Sequence, residues 1–171
     1  MYQHILVPID GSTTSERAVT EATAMAKLCS ARVRLLHIVD MGEYVYGYET
    51  PHSYISQTRP QVLAAARQLL QRTRSELEAK GVPVDIDLCE STGAYVSDII
   101  VDHAVHWGAD LIVLGTHGRR GIDRILMGSD AERVARMSPL PVLLIKPAHM
   151  QSAPHPSGMR TIACDEMQDP V

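Results

Sequence analysis

The residues of this chain best suited to chemistry lie between Gly115 and Ser129, where Gly115, Gly118, Gly121 and Gly128 are interleaved with Arg119, Arg120 and Arg124. The stretch follows Leu111-Ile112-Val113-Leu114, the most apolar short run in the chain. It leads into Ser129-Asp130-Ala131-Glu132, a capping-box pattern that opens a helix. Glycines let a ligand approach the backbone closely, and the unsatisfied amides at a helix start favour an anion such as a phosphate. Ser129 reads both as the helix cap and as a hydroxyl donor to a phosphoryl oxygen. The arginines are placed to screen phosphate charge, Arg119 foremost because it follows Gly118 directly.

Other reactive side chains offer less. His117 has no carboxylate or nucleophile assignable as its partner, and His103 and His106 stand three apart without a third ligand. Cys29, Cys89 and Cys164 lack metal-ligand spacing and read as thiols in a reducing compartment. Gly118 and Gly121 are not followed by the Gly-Lys-Ser/Thr ending of a P-loop, and the first strand lacks a Gly-x-Gly-x-x-Gly turn. A Gly-x-Ser-x-Gly elbow is also missing. No catalytic residue and no metal ligand is assigned.

Positioning such a loop requires strands and helices in alternation, and the chain supplies them. Ile5–Ile9 is an apolar run closed by Asp10-Gly11, with Pro8 tolerable only near the strand's end. Thr13-Thr14-Ser15-Glu16 matches a capping box with Thr13 as cap, followed by Ala18, Ala22, Met25, Ala26 and Cys29 at helical spacing. Val33–Val39 is the second strand. The stretch from Asp40 to about Arg59 shows no steady period and carries Tyr44, Tyr46, Tyr48 and Tyr54, which suit a lid, a partner contact or an ordinary loop. A second helix passes through Val62, Ala66, Leu70 and Leu77 and is ended by Gly81 and Pro83. Val84–Leu88 alternates with Asp85 and Asp87 as a strand at or near a sheet edge. Val96–Trp107 is a third helix, Leu111–Leu114 a buried central strand, the helix opened by Ser129 runs to about Met137, and Val142–Ile145 is the last strand. Five strands separated by four helices imply a parallel sheet with right-handed crossovers.

Composition agrees. A chain of 171 residues builds one substantial core, and with no Phe and one Trp that core consists of Val, Ile, Leu, Met and Ala. A formal charge of −4 argues against a chain devoted to nucleic acid. No apolar run reaches the roughly 18 residues of a bilayer span, and no signal-peptide pattern begins the chain, so the reading is a soluble cytoplasmic protein. Residues 147–171, interrupted by Pro147, Pro154, Pro156 and Pro170, read as an extended or disordered tail outside a domain of residues 1–146.

Gly115-x2-Gly118-x9-Gly128-Ser129, together with Val7-Pro8-Ile9-Asp10-Gly11-Ser12, His37-Ile38-Val39 and Pro141–Ile145, resembles the universal stress protein family in its ATP-binding branch. The resemblance covers residues 1–146. It implies a three-layer, adenine nucleotide alpha hydrolase-like fold: an open five-stranded parallel sheet in order 3-2-1-4-5 with helices on both faces. It further implies that Pro8, Ile9 and Asp10 line the adenine-ribose side, that Val39 recognises the base through its backbone, and that Gly115 lies beside the ribose. Gly118, Gly128 and Ser129 would cradle the phosphates, with Arg119 alongside. Asp10 could accept from the ribose or the adenine amino group, help hold a phosphate-bound Mg2+, or simply cap the first helix. The ligand implied is ATP, ADP or AMP, bound in a regulatory role in stress response, by a homodimer joined through residues 141–146 that acts on an unidentified protein partner. Slow nucleotide hydrolysis, chemistry on an adenylylated or phosphorylated substrate, and a nucleotide-independent dimeric module stand as alternatives.

Overall fold

The computed structural model describes residues 1–41, 58–118 and 127–147. Among these, the elements are β1 (His4–Pro8), α1 (Thr13–Cys29), β2 (Arg32–Asp40), α2 (Arg59–Ala79), β3 (Val84–Ser91), α3 (Val96–Trp107), β4 (Leu111–Gly115), α4 (Ser129–Met137) and β5 (Val142–Ile145). All strands are parallel and ordered β3-β2-β1-β4-β5, as the family resemblance implied. The tyrosine cluster and residues 148–171 lie outside the described residues.

The period-two alternation of each strand divides the core in two. Ile5, Val7, Val33, Leu35, Leu111 and Val113 face α1 and α2. Leu6, Leu36, Ile112 and Leu114 face α3 and α4, against Ile100, Ala104 and Val134. The small face of α1 (Ala18, Ala22 and Ala26, all buried) lets that helix lie close to the sheet. Leu111–Leu114 is buried on both faces, as expected of an interior strand. The alternating β3 is an edge strand, and its Asp85 carboxylate meets Arg32 at 3.2 Å and Arg34 at 3.7 Å. β3 runs three residues past the expected Leu88 because its ladder with β2 continues to the pair Asp40↔Ser91.

Pro8 is the last residue of β1, where its missing donor costs no ladder bond. The Ile9 amide then donates to the Leu36 carbonyl at 2.8 Å. Two helix starts differ from the sequence reading. α1 is capped by Ser12, not Thr13: Gly11 takes φ +79°, Ser12 is extended, and its hydroxyl accepts from the Ser15 amide at 3.2 Å. The shift follows from Asp10, whose Oδ1 accepts from both the Ser12 amide (2.9 Å) and the Ser12 hydroxyl (2.6 Å) and so fixes that residue ahead of the helix. α4 is capped by Gly128, with no side-chain cap, and Ser129 is its first helical residue rather than its cap.

Candidate functional site

The strand order reverses between β1 and β4, the place where an open parallel sheet leaves a crevice beyond its strand ends. Here that crevice is a cleft of about 1070 Å³. Of the nine residues expected to bind a nucleotide, eight are described, and all eight line it: Pro8, Ile9 and Asp10 after β1, Val39 in β2, Gly115 and Gly118 at the end of β4, and Gly128 and Ser129 at the start of α4. Arg119 lies outside the described residues, as do Arg120, Gly121 and Arg124.

The glycines are required for different reasons. A Cβ on Gly115 would stand 3.0 Å from the Thr14 backbone carbon and 3.2 Å from the Ser15 amide, so this glycine lets the first turn of α1 pack on β4. On Gly118 a Cβ would reach 2.8 Å from Asp10 Oδ2, and on Gly128 it would lie 3.1 Å from the Thr116 carbonyl oxygen. Gly118 thus lies against the residue that follows β1, and Gly128 against Thr116 just past β4. Thr14 Oγ1 strengthens this by donating to the His117 carbonyl, and the Gly128 amide donates to Thr116 O at 2.8 Å.

The two helix starts at the cleft differ electrically. The N-terminal turn of α1 is occupied by its own Ser12 and by the Asp10 carboxylate behind it. α4 has no side-chain cap, and among the described residues no acceptor meets the amides of Ser129, Asp130 and Ala131, all three of which line the cleft. Those N–H groups and the exposed Ser129 hydroxyl suit a phosphoryl oxygen. Asp130, in the same turn, sets a negative charge beside them, which favours an anion carrying its own counter-cation. Asp10 is the carboxylate nearest the β1 end, and among the described residues no group of three His, Cys, Asp or Glu could hold a metal.

Sequence reasoning missed several members of the site. His37, buried, donates from Nδ1 to the Ile9 carbonyl at 2.6 Å and pins the strand end that carries Asp10. Thr116, also buried, donates its hydroxyl to Ile145 O at 3.2 Å and so must accept from His117 Nδ1 at 3.0 Å, which fixes the histidine tautomer. Val62, Ala66 and Leu69 give the cleft an apolar wall from α2. Val62 and Leu69 are half-buried beside the buried Leu63 and Leu70, at the rim of that helix's inner face. His103 and His106 lie away from the cleft. Burial lowers the His103 pKa from the ordinary 6.5, against the opposing pull of Asp87.

These features define an open α/β protein of the adenine nucleotide alpha hydrolase-like type, with a glycine-walled cleft at its topological switch point. The chain belongs to the universal stress protein family, whose sequence profile matches residues 1–146. It is 34% identical to universal stress protein MJ0531 of Methanocaldococcus jannaschii, over 85% of this chain and 83% of that protein. The solved structure of MJ0577, from the same organism, superposes with a TM-score of 0.75 at 30% identity, covering 86% of this chain and 97% of that one. A universal stress protein solved in complex with cAMP matches at a TM-score of 0.58 and 28% identity, over 85% and 97% of the two chains. One from Archaeoglobus fulgidus in complex with dAMP matches at 0.59 and 26%, over 85% and 98%. No helix among the described residues is long and apolar enough to cross a membrane.

Proposed function

We propose that this chain binds an adenine nucleotide, ATP in the first instance, as a regulatory ligand in a stress response. The observation that carries the reading is the uncapped start of α4, opening onto the same cleft as Asp10 and Val39. In this reading Pro8, Ile9, Asp10 and the Val39 backbone hold the base and ribose against the α2 wall. Gly115 keeps α1 close. Gly118, Gly128, Ser129 and Arg119 surround the phosphates, with Mg2+ carried in on them. Two relatives solved with cAMP and dAMP carry an adenine and a single phosphate, the same two chemistries.

A cytoplasmic homodimer joined along β5 belongs to the same proposal. Among the described residues β5 pairs only with β4, and Val142, Leu143 and Leu144 remain half-buried at this edge, which a second copy would cover. The test is isothermal calorimetry of the full chain, stripped of any co-purified ligand, with ATP, ADP, AMP and GTP at saturating Mg2+, beside its sedimentation mass. Adenine-selective binding supports the reading. A folded chain with no affinity for any of the four sinks it, and a monomer mass at working concentration sinks the dimer.

A further inference from the structure

Arg133 does not line the cleft, yet two of the cleft's walls are joined through it. It lies on α4, one turn after Ser129. Its Nε donates to Ser97 Oγ at 3.1 Å, its Nη2 donates to Asp98 Oδ1 at 3.1 Å, and its guanidinium stacks 4.1 Å over the Tyr95 ring. All three partners belong to the start of α3, and Ser97 is fully buried. Tyr95 and Val96 line the cleft from this side, as Ser129, Asp130 and Ala131 do from α4.

A cation at a helix start opposes the helix dipole. Asp98 offsets that charge, so the contact is better understood as geometry than as a source of field. Two donors in a rigid fork and a face laid on an aromatic ring leave the guanidinium one orientation. The turn bearing the uncapped amides is thereby locked against the start of α3. Amides can share one anion only if they are held converging on it.

We propose that Arg133 is a positioning residue for the phosphate end of the cleft. By gripping Ser97, Asp98 and Tyr95 it fixes the first turn of α4, and it gives the chain a preference for phosphorylated over unphosphorylated nucleosides. The proposal rests on the nucleotide reading above but on residues that reading does not use.

The experiment compares the full-length chain with Arg133→Lys and Arg133→Ala, by calorimetry with adenosine, AMP and ATP and by amide hydrogen exchange without ligand. Lysine keeps the charge but loses the fork and the stack. Arg133→Lys is expected to weaken ATP about tenfold, with adenosine within about twofold of wild type. It should also speed exchange at the Glu132 amide, whose bond to Gly128 O closes the first turn of α4, while leaving β1 unchanged. Equal losses for ATP and adenosine would reduce Arg133 to a general stabiliser and overturn the proposal. Wild-type ATP affinity in Arg133→Lys, or unchanged exchange at Glu132, would overturn it too. If the parent chain binds no nucleoside at all, the nucleotide reading falls and with it the stated preference, while the exchange data still decide whether Arg133 orders the α4 start.

Discussion

The Asp10 carboxylate and the Cα of Gly118 face each other across the gap between β1 and β4, so closely that a methyl group at position 118 would stand 2.8 Å from Oδ2. Asp10 cannot easily turn away, since Oδ1 is committed to the Ser12 amide and hydroxyl. Gly118→Ala should therefore cost about 1–3 kcal/mol of stability through overpacking. In an Asp10→Ala background most of that cost should vanish, a coupling above about 0.5 kcal/mol in a denaturation double-mutant cycle. Additive effects would show that the two residues do not confront each other.

Ser129→Ala separates a capping role from a ligand role. With Gly128 as the cap and the Ser129 side chain exposed, the substitution should leave the urea midpoint unchanged while weakening ATP several-fold. Loss of about 1 kcal/mol, the usual cost of removing a serine cap, would restore the capping role.

Gly115→Ala should behave in the opposite way. Its Cβ would press on the Thr14 backbone at 3.0 Å, where relief requires moving the start of α1. A fall in stability of about 1–3 kcal/mol is expected with or without nucleotide, read from chemical denaturation of both forms.

These three glycine and serine positions also show how far the sequence could be read. Element order and the strand order followed from alternating periodicities and the family resemblance, because burial on two sheet faces writes itself into local pattern. The caps fell one residue off at both Thr13 and Ser129. Residue types at the right spacing do not reveal that Asp10 seizes Ser12, or that the Gly128 backbone is extended. The grip of Arg133 on Ser97, 36 residues away, was illegible for a related reason. Contacts between two helices on the same face of a sheet have no periodic signature.

Ser30 ends α1 in the left-handed region, at φ 54°, a conformation that costs a residue with a side chain about 1–2 kcal/mol. Ser30→Gly should raise stability by roughly 0.5–1 kcal/mol. A thermal melt moving upward by a few degrees would bear this out, and a downward shift would contradict it.

His103 makes the fold sensitive to acid. Burial depresses its pKa below the ordinary 6.5, so the native state resists a proton that the unfolded chain accepts. Its contribution is intact above about pH 6.5 and is lost as pH falls through the depressed native value. His103→Gln should flatten the decline in stability on acidification, measured as urea midpoints in steps from neutral downward. An unchanged profile would assign that decline to other groups.

The strand at the centre of the sheet, β1, also precedes both of its neighbours, β2 and β4, in the chain. Its upstream amides at Gln3 and His4 are held by the Asp110 carboxylate, 107 and 106 residues further along. One flank of β1 can be covered early by β2, but the other must wait for β4. Closing so long a loop is slow. Until β4 arrives, that edge of β1 is without its partner strand, and an unpaired apolar edge is a template for wrong pairing.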